Sequence, residues 1–418
     1  MIRLRVWAND HPMGWFGHAE AAYFFEYDPA WLANPASFVL APQFPLRAER
    51  FSDQAVRNYF FNLLPEGIAY EDILNDLKDP GASAFDVIGV LGGESLGVVS
   101  ILPEGRTPII SQQTEPLSRE DLSQRIRDRG ASKPFLRSNQ QASMSLPGAQ
   151  DKLGLRFDSK NRTYWDTVST TPSTHIAKPD TRLADFSPSA INEYAVMRLA
   201  KELKLNVPDV HFDQVPESLF VIRRYDRTEV AGKAVCLHQA DLCQLLNVGA
   251  DWKYERQGGL VSHKLIATKL RELRLPGSDL LLFQRWVMFN FLVGNSDAHA
   301  KNISVLIAPS GYRLAPFYDL LCVQAYGDQR LALFIGDDEQ FAAVGAHSWE
   351  AFCHDCGFGY KAAMQLLRDM AKKVGPAWEK VVQRDLTKHA LTPAETRLIH
   401  QIGQVIQVNS QAVISMTE

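Results

Sequence analysis

The sequence predicts an α+β (α/β) protein in two lobes, a β-rich lobe followed by a helical one, and three observations carry that prediction. Short runs dense in β-branched and aromatic residues recur up to about residue 224. Past Tyr225 the apolar residues fall mostly at helical spacing, over 238–292 and 346–414. One charged loop and one hairpin interrupt this second tract, and a β-rich unit next to a helical one implies a cleft in which a ligand binds.

The first unit, 1–105, reads as a small α+β subdomain with strands in "IRLRVWAN", "SFVLAP" and "LGVVSIL". A helix near 52–64 repeats Val56, Phe60, Leu63 and Leu64 on one side. Residues 103–118, rich in turn-formers, read as a linker. The second unit, 106–224, follows with strands in "KLGLRFD", "TYWDTV", "THIAKPD", "FDQVP" and "LFVIRRYD". Its helix, 188–204, carries Ile191, Ala195, Leu199 and Leu203 as one apolar stripe. The third unit, 225–418, is expected to be all-helical apart from strands 303–307 and 312–315, joined by "APSG". "TPAE", 392–395, is a capping box with proline at the first helical position.

Composition narrows the function. A chain of 418 residues that is 46% hydrophobic can bury a sizeable core. Lys and Arg number 44 against 48 Asp and Glu, a net charge of −4, so no overall field attracts nucleic acid or an anionic membrane. No run reaches the roughly 18 apolar residues of a membrane span. The first residues lack the apolar core of a signal peptide, so the cytoplasm is the expected location. Five cysteines, an odd number, fit a reducing compartment. Cys353 and Cys356 form C-x-x-C near His347 and His354, but no second ligand pair accompanies them. They read as structural cysteines on a helix.

The chemistry concentrates in "FLVGNSDAHAKNISVLI", 291–307. The helix before it, 278–293, is apolar nearly all round and must be buried, which makes its end a fixed platform. Asp297 and Asn302 then stand at the D-x-x-x-x-N interval of a protein-kinase catalytic loop. There the Asp accepts the proton of the substrate hydroxyl and the Asn binds magnesium. The interval alone is common by chance. The hairpin strengthens it, because "APFYDLL" returns a second acid, Asp319, to the first, and magnesium favours few carboxylates with waters and phosphate oxygens. The alternative is that Asp297 and Asp319 merely cap a turn and a helix. "THIAKPD" offers Lys178 to phosphates with Glu193 as a possible partner, and "SMSLPGAQDK", 143–152, is a turn whose N–H groups fit a phosphate nest.

Together these segments resemble the HipA family, serine/threonine kinase toxins of bacterial toxin–antitoxin modules. "SLPGAQDKLGL", "THIAKPD", "NEYAVMRLAKELKLNVP", "VIRRYDR", "LHQADLCQLL", "NFLVGNSDAHAKN" and "RLAPFYDLL" follow that family's motifs in order, and "FSDQAVRNYFFNLLPEG" resembles its N-terminal subdomain. The resemblance implies a two-lobe, protein-kinase-like fold with ATP and Mg2+ as cofactors. It implies Asp297 as catalytic base, Asn302 and Asp319 as magnesium ligands, and Lys178 as the ATP-phosphate lysine. Pro147, Gly148, Ala149, Gln150, Asp151 and Lys152 would cover the phosphates. Arg223, Arg224 and Tyr225 would form the hinge that meets adenine through its backbone, and His299, Ala300, Lys301 and Tyr318 would complete the nucleotide site. Ser145 matches the serine such kinases autophosphorylate. The implied partners are a protein with a Ser or Thr acceptor and a HipB-like helix-turn-helix antitoxin, with DNA reached through the antitoxin and no membrane involved.

The chain departs from the family at Arg223, where Glu is common, and at Pro147 and Asp151, where Ala or Thr and Glu are common. Asp319 lies in "YDLL" rather than D-F-G, so switching driven by a Phe is not expected. Two other readings remain open at this stage: a small-molecule kinase, and a nucleotide-binding co-repressor scaffold without catalysis.

Overall fold

The computed structural model describes residues 2–19, 22–52, 54–77, 79, 81–108, 113–129, 147–148, 150–168, 170–230 and 233–417. The chain forms two compact units, one of residues 1–179, 213–250 and 305–312, the other of 180–212, 251–304 and 313–418.

The first unit contains two main sheets. The N-terminal sheet is antiparallel in the order Ala22–Tyr27, His11–Ala19, Ile2–Ala8, Val99–Pro103. Phe16 and Phe60 stack across it at 3.9 Å, Phe60 coming from the helix Gln54–Phe61. The segment "SFVLAP", expected as a strand, runs instead through bends and turns. Its backbone groups go to side chains: Leu40 N donates to the Tyr27 hydroxyl at 2.8 Å, His238 Nε2 donates to Leu40 O at 2.8 Å, and Trp31 Nε1 donates to Phe38 O. With those partners no ladder is required.

The second sheet runs in the order Thr114–Leu117, Thr163–Thr167, Leu153–Asp158, His175–Pro179, Ser218–Arg223, and closes with Val210–Gln214, on which the chain re-enters this unit at Asp213. Thr114–Leu117 corrects the linker reading of 103–118. Pro116 lacks an N–H, which confines such a strand to a sheet edge, and that is its place. Directly after it Ser118 caps the helix Arg119–Asp128, accepting from Asp121 N. Leu122 and Ile126 of that helix join Leu153, Leu155, Phe157 and Val221 in one apolar cluster.

The second unit is mainly helical. Its helices are Ala190–Glu202, His263–Glu272, Gly277–Val293, Ala346–Cys356, Tyr360–Val381 and Pro393–Thr417. The capping box at 392–395 is present, with Thr392 N donating to Glu395 Oε2 at 2.7 Å and Glu395 N to Thr392 Oγ1 at 3.2 Å. An antiparallel ladder of Arg330–Ile335 with Asp338–Gln340 corrects the all-helical expectation. In Gly277–Val293 burial is continuous from Phe283 except at Arg285, whereas Leu281 in the first turns is 49% exposed. Cys353 and Cys356 lie buried on Ala346–Cys356, and burial raises their thiols to about 11 and about 12. Among the described residues no cluster of His, Cys, Asp and Glu could hold a metal ion by itself, and no helix is long and apolar enough to cross a membrane.

Candidate active site

The acid loop is assembled within the second unit, starting from the helix end. Gly294 terminates Gly277–Val293 at φ 70°, and a Cβ there would lie 2.5 Å from Gln324 Oε1 and 2.6 Å from Val405 Cγ1. Only glycine fits both that dihedral and that space. Asn295 follows, 2% exposed, and its side chain spans the two acids. Asn295 Oδ1 accepts from Asp297 N at 3.2 Å, while Nδ2 donates to Asn290 Oδ1 at 2.7 Å and to Asp319 O at 3.4 Å. The loop then folds on itself: Asn302 Nδ2 and His299 N both donate to Asp297 O, at 2.9 and 2.8 Å.

The far side of the loop is fixed by Tyr318. Its hydroxyl donates to Lys301 O at 2.7 Å and therefore accepts from Ser304 Oγ at 2.7 Å. Asp319 itself sits at φ 57°, a left-handed conformation that Asp tolerates better than most residues but that still costs energy. Asp279, buried at the start of the platform helix, clamps the hairpin exit by accepting from Nε and Nη2 of Arg313 at 2.9 and 3.0 Å and from Leu314 N at 2.8 Å. That clamp sets where the chain runs toward Asp319. Burial by itself would raise the Asp279 carboxyl, but Arg313 and Leu314 hold it below the usual range.

The donor set suits a magnesium ion. With Asn302 Nδ2 committed to Asp297 O, only its Oδ1 remains for a cation, and Asp319 supplies a carboxylate on a strained backbone. The Asp297 side chain is 41% exposed, His299 Nε2 stands 3.9 Å from its Oδ1, and the Tyr254 hydroxyl donates to the same Oδ1 at 2.5 Å. Periodicity and spacing gave no signal for Asn295, Asp279 or Tyr254, although Asn295 lies inside the loop motif.

The first unit gathers the other expected site residues. Lys178 is 6% exposed, opposite Phe220 in the ladder of His175–Pro179 with Ser218–Arg223. The hinge residues leave that second strand, and Arg224 N donates to Thr174 O at 2.9 Å. Arg223 is exposed and Tyr225 donates to Gln239 Oε1. The Arg224 guanidinium is wholly engaged in a buried network: it bonds both oxygens of Asp226, and also Glu94 Oε1, Ser173 Oγ and Ser95 O, all within 3.0 Å. Arg227 adds bonds to Glu94 Oε1 and Gly97 O. Burial would raise the Asp226 carboxyl, but the two guanidiniums hold it far below the usual range. Arg224 therefore has only backbone atoms to offer a ligand.

Of the expected phosphate-covering residues, Gln150 reaches the strand that carries Lys178. Gln150 Nε2 donates to Pro179 O at 3.0 Å, and Gly148 O accepts from Glu66 N at 3.2 Å. Gly148 has φ 106°, and Lys152 Nζ closes the turn by donating to Pro147 O at 2.5 Å. Asp151 is buried beside Arg129 at 3.8 Å. Ser145 and Ala149 lie outside the described residues.

A β-rich lobe with an added N-terminal subdomain, and a mainly helical lobe carrying the acid loop, define a two-lobe, protein-kinase-like fold. The chain belongs to the HipA family. Residues 144–378 match the HipA-like C-terminal domain and 4–102 the HipA N-terminal domain. The candidate kinase Y4mE of Sinorhizobium fredii is 32% identical over 392 residues, spanning 91% of this chain and 92% of its own. The serine/threonine-protein kinase toxin HipA of Shewanella oneidensis is 30% identical over 364 residues, spanning 83% and 82%. Among solved structures, HipA of Shewanella oneidensis in complex with HipB and operator DNA superposes with a TM-score of 0.85 at 25% identity, over 99% of this chain and 98% of that one.

Proposed function

We propose that this protein is an ATP-dependent serine/threonine kinase toxin that phosphorylates a cellular protein and itself, arrests growth, and is neutralised by a HipB-like DNA-binding antitoxin through which it reaches DNA. The observation that carries the reading is the Asn295 side chain, which ties Asp297 N and Asp319 O to one buried amide. A scaffold that only bound nucleotide would not need a base held beside a metal ligand.

In this reading Asp297 accepts the proton of the acceptor hydroxyl as its oxygen bonds the γ-phosphorus and ADP leaves. Asn302 and Asp319 would hold magnesium, which when bound would offset phosphate charge. Lys178 faces the phosphates, 147–152 covers them, and 223–225 meets adenine through backbone atoms. Positioning and charge neutralisation supply most of the acceleration. Phosphate on Ser145, two residues before the proposed phosphate-covering segment in the sequence, would add about −1.5 to −2 charge, so it should weaken binding of anionic ATP. The toxin works in the cytoplasm.

Incubation of the chain with labelled Mg·ATP and separated cell proteins or metabolites tests the reading. Transfer to Ser or Thr of a protein is expected, with Asp297→Asn and Asp319→Asn each lowering it at least roughly a hundredfold. Wild-type turnover in either variant sinks that assignment, and labelled metabolites alone would make the enzyme a small-molecule kinase. Peptide mapping should find phosphate on Ser145 accumulating as ATP affinity falls. Lys178→Ala should be inactive and harmless on overexpression; a toxic, inactive variant would indicate a co-repressor scaffold.

A further inference from the structure

We infer that Tyr254 is a positioning residue for the base, its hydroxyl holding Asp297 Oδ1 so that Oδ2 is presented to the acceptor; this rests on the proposed role of Asp297. The bond is 2.5 Å long and joins residues 43 apart in sequence. A free carboxylate turns easily, because rotation about its terminal torsion is broad and nearly two-fold. One donor fixed on one oxygen removes that freedom.

The surroundings of Tyr254 are built to hold the hydroxyl still. Ala300 N donates to Lys253 O at 3.3 Å, so the segment is tied to the acid loop one residue before the tyrosine. The Tyr254 ring meets His299 edge-on at 5.1 Å and 83°. The Arg256 guanidinium lies 4.3 Å from the ring centroid and Lys253 Nζ 5.4 Å from it. Positive charge over the ring face attracts it and also draws electron density from the phenol, which sharpens the hydroxyl as a donor. On the next residue, Glu255 Oε2 accepts from Phe334 N at 2.7 Å, fastening the segment to the Arg330–Ile335 strand. Tyr254 is thus clamped before, across and after its ring, and its polar end goes to the one carboxylate that the loop leaves 41% exposed.

A tyrosine that only completed the packing would act through its ring, and phenylalanine would replace it without kinetic effect. The positioning role instead lowers the rate of the chemical step and leaves nucleotide binding alone. The full-length chain and its Tyr254→Phe variant are compared by ADP formation from Mg·ATP, which counts transfer to any acceptor including water, together with the unfolding midpoint. The variant should lose roughly tenfold or more in kcat, keep KM for Mg·ATP within about twofold, and unfold at the wild-type midpoint. In the Asp297→Asn background the same substitution should cost nothing further, since the bonded oxygen is gone or altered. An unchanged kcat in Tyr254→Phe while Asp297→Asn is inactive overturns the positioning role alone. A faster Tyr254→Phe overturns it too, showing that the hydroxyl competes with the acceptor. Full turnover in Asp297→Asn would instead remove the base on which the inference rests.

Discussion

The loop 294–319 and the segment 147–152 are held by different means. In the first, the amides of Asn295 and Asn302 and the hydroxyl of Tyr318 bond the loop's own backbone, Ser304 Oγ donates to that hydroxyl, and each bond has a short, fixed reach. In the second, the turn is closed by the tip of a flexible lysine, Lys152, on Pro147 O. Beneath the neighbouring hinge the first unit relies on charge: Arg224 and Arg227 against Glu94 and Asp226, all at most 8% exposed. In the proposed kinase reading, neutral bonds of fixed geometry would suit the place where a proton moves over a short distance, and a closure that opens at low cost would suit the place where phosphates enter and leave.

The largest expected effect breaks the charged side of this comparison. Arg224→Ala would leave Glu94 and Asp226 with one guanidinium between them, and removing one partner of a buried ion network typically costs about 3–5 kcal/mol. Urea denaturation of wild type and variant reads this directly. A loss below about 1 kcal/mol would show that water reaches the network and that charge does not hold the hinge.

The next effect falls on the neutral side. Asn295→Ala strands Asn290 Oδ1 and Asp297 N and weakens the hold on Asp319 O, at roughly 1–3 kcal/mol. Turnover should fall with it, by more than Arg224→Ala causes in the protein that remains folded. If Asn295→Ala were destabilised but fully active, the amide would serve packing and not the geometry of the acids.

What the sequence displayed and what it hid divide along the same line. The platform helix, and the return of Asp319 to the loop of Asp297 and Asn302, were readable because apolar run, stop signal and hairpin follow one another along the chain. The edge strand Thr114–Leu117 was not, since Pro116 argues against a strand unless its place at a sheet edge is known, although "SRED" after it carried a capping signal. "SFVLAP" had strand composition and no ladder partner, because the side chains of Tyr27, His238 and Trp31 take up its backbone groups. Asp279 and Tyr254 find their partners 34 and 43 residues away. Such pairings leave no period in the sequence, and only the folded chain displays them.

A smaller effect sharpens the account of the segment that holds Tyr254. Burial raises the neighbouring Glu255 carboxyl to about 7, with Asp337 and Asp355 adding to the rise against the Phe334 N–H. Between the ordinary carboxylate range and about 7 the folded chain keeps this proton while the unfolded chain releases it. Its contribution is therefore fully present at low pH and lost as pH rises toward 7 and beyond. Glu255→Gln removes the titration and can still accept from Phe334 N. It should match wild type near pH 4.5 and exceed it at pH 8 by about 1–2 kcal/mol, allowing for partial exposure. Equal stability at both pH values would show that Glu255 is solvated.

The smallest effect tests whether the closure of 147–152 is as adaptable as its lysine suggests. Gly148 stands at φ 106°, and a Cβ there would meet Lys152 Nζ at 2.5 Å but nothing else closer than the Cε of the same lysine at 3.6 Å. The clash is with the far end of a long side chain, which can swing aside, so Gly148→Ala should cost only the backbone strain of a non-glycine residue, about 1 kcal/mol. What it cannot keep is the Lys152 bond to Pro147 O in its present form. If that bond shapes the phosphate cover, KM for Mg·ATP should rise several-fold while kcat stays near wild type, because uniform binding is lost and the acids are untouched. A fall in kcat with KM unchanged would place Gly148 with the acid loop and erase the contrast between the two loops.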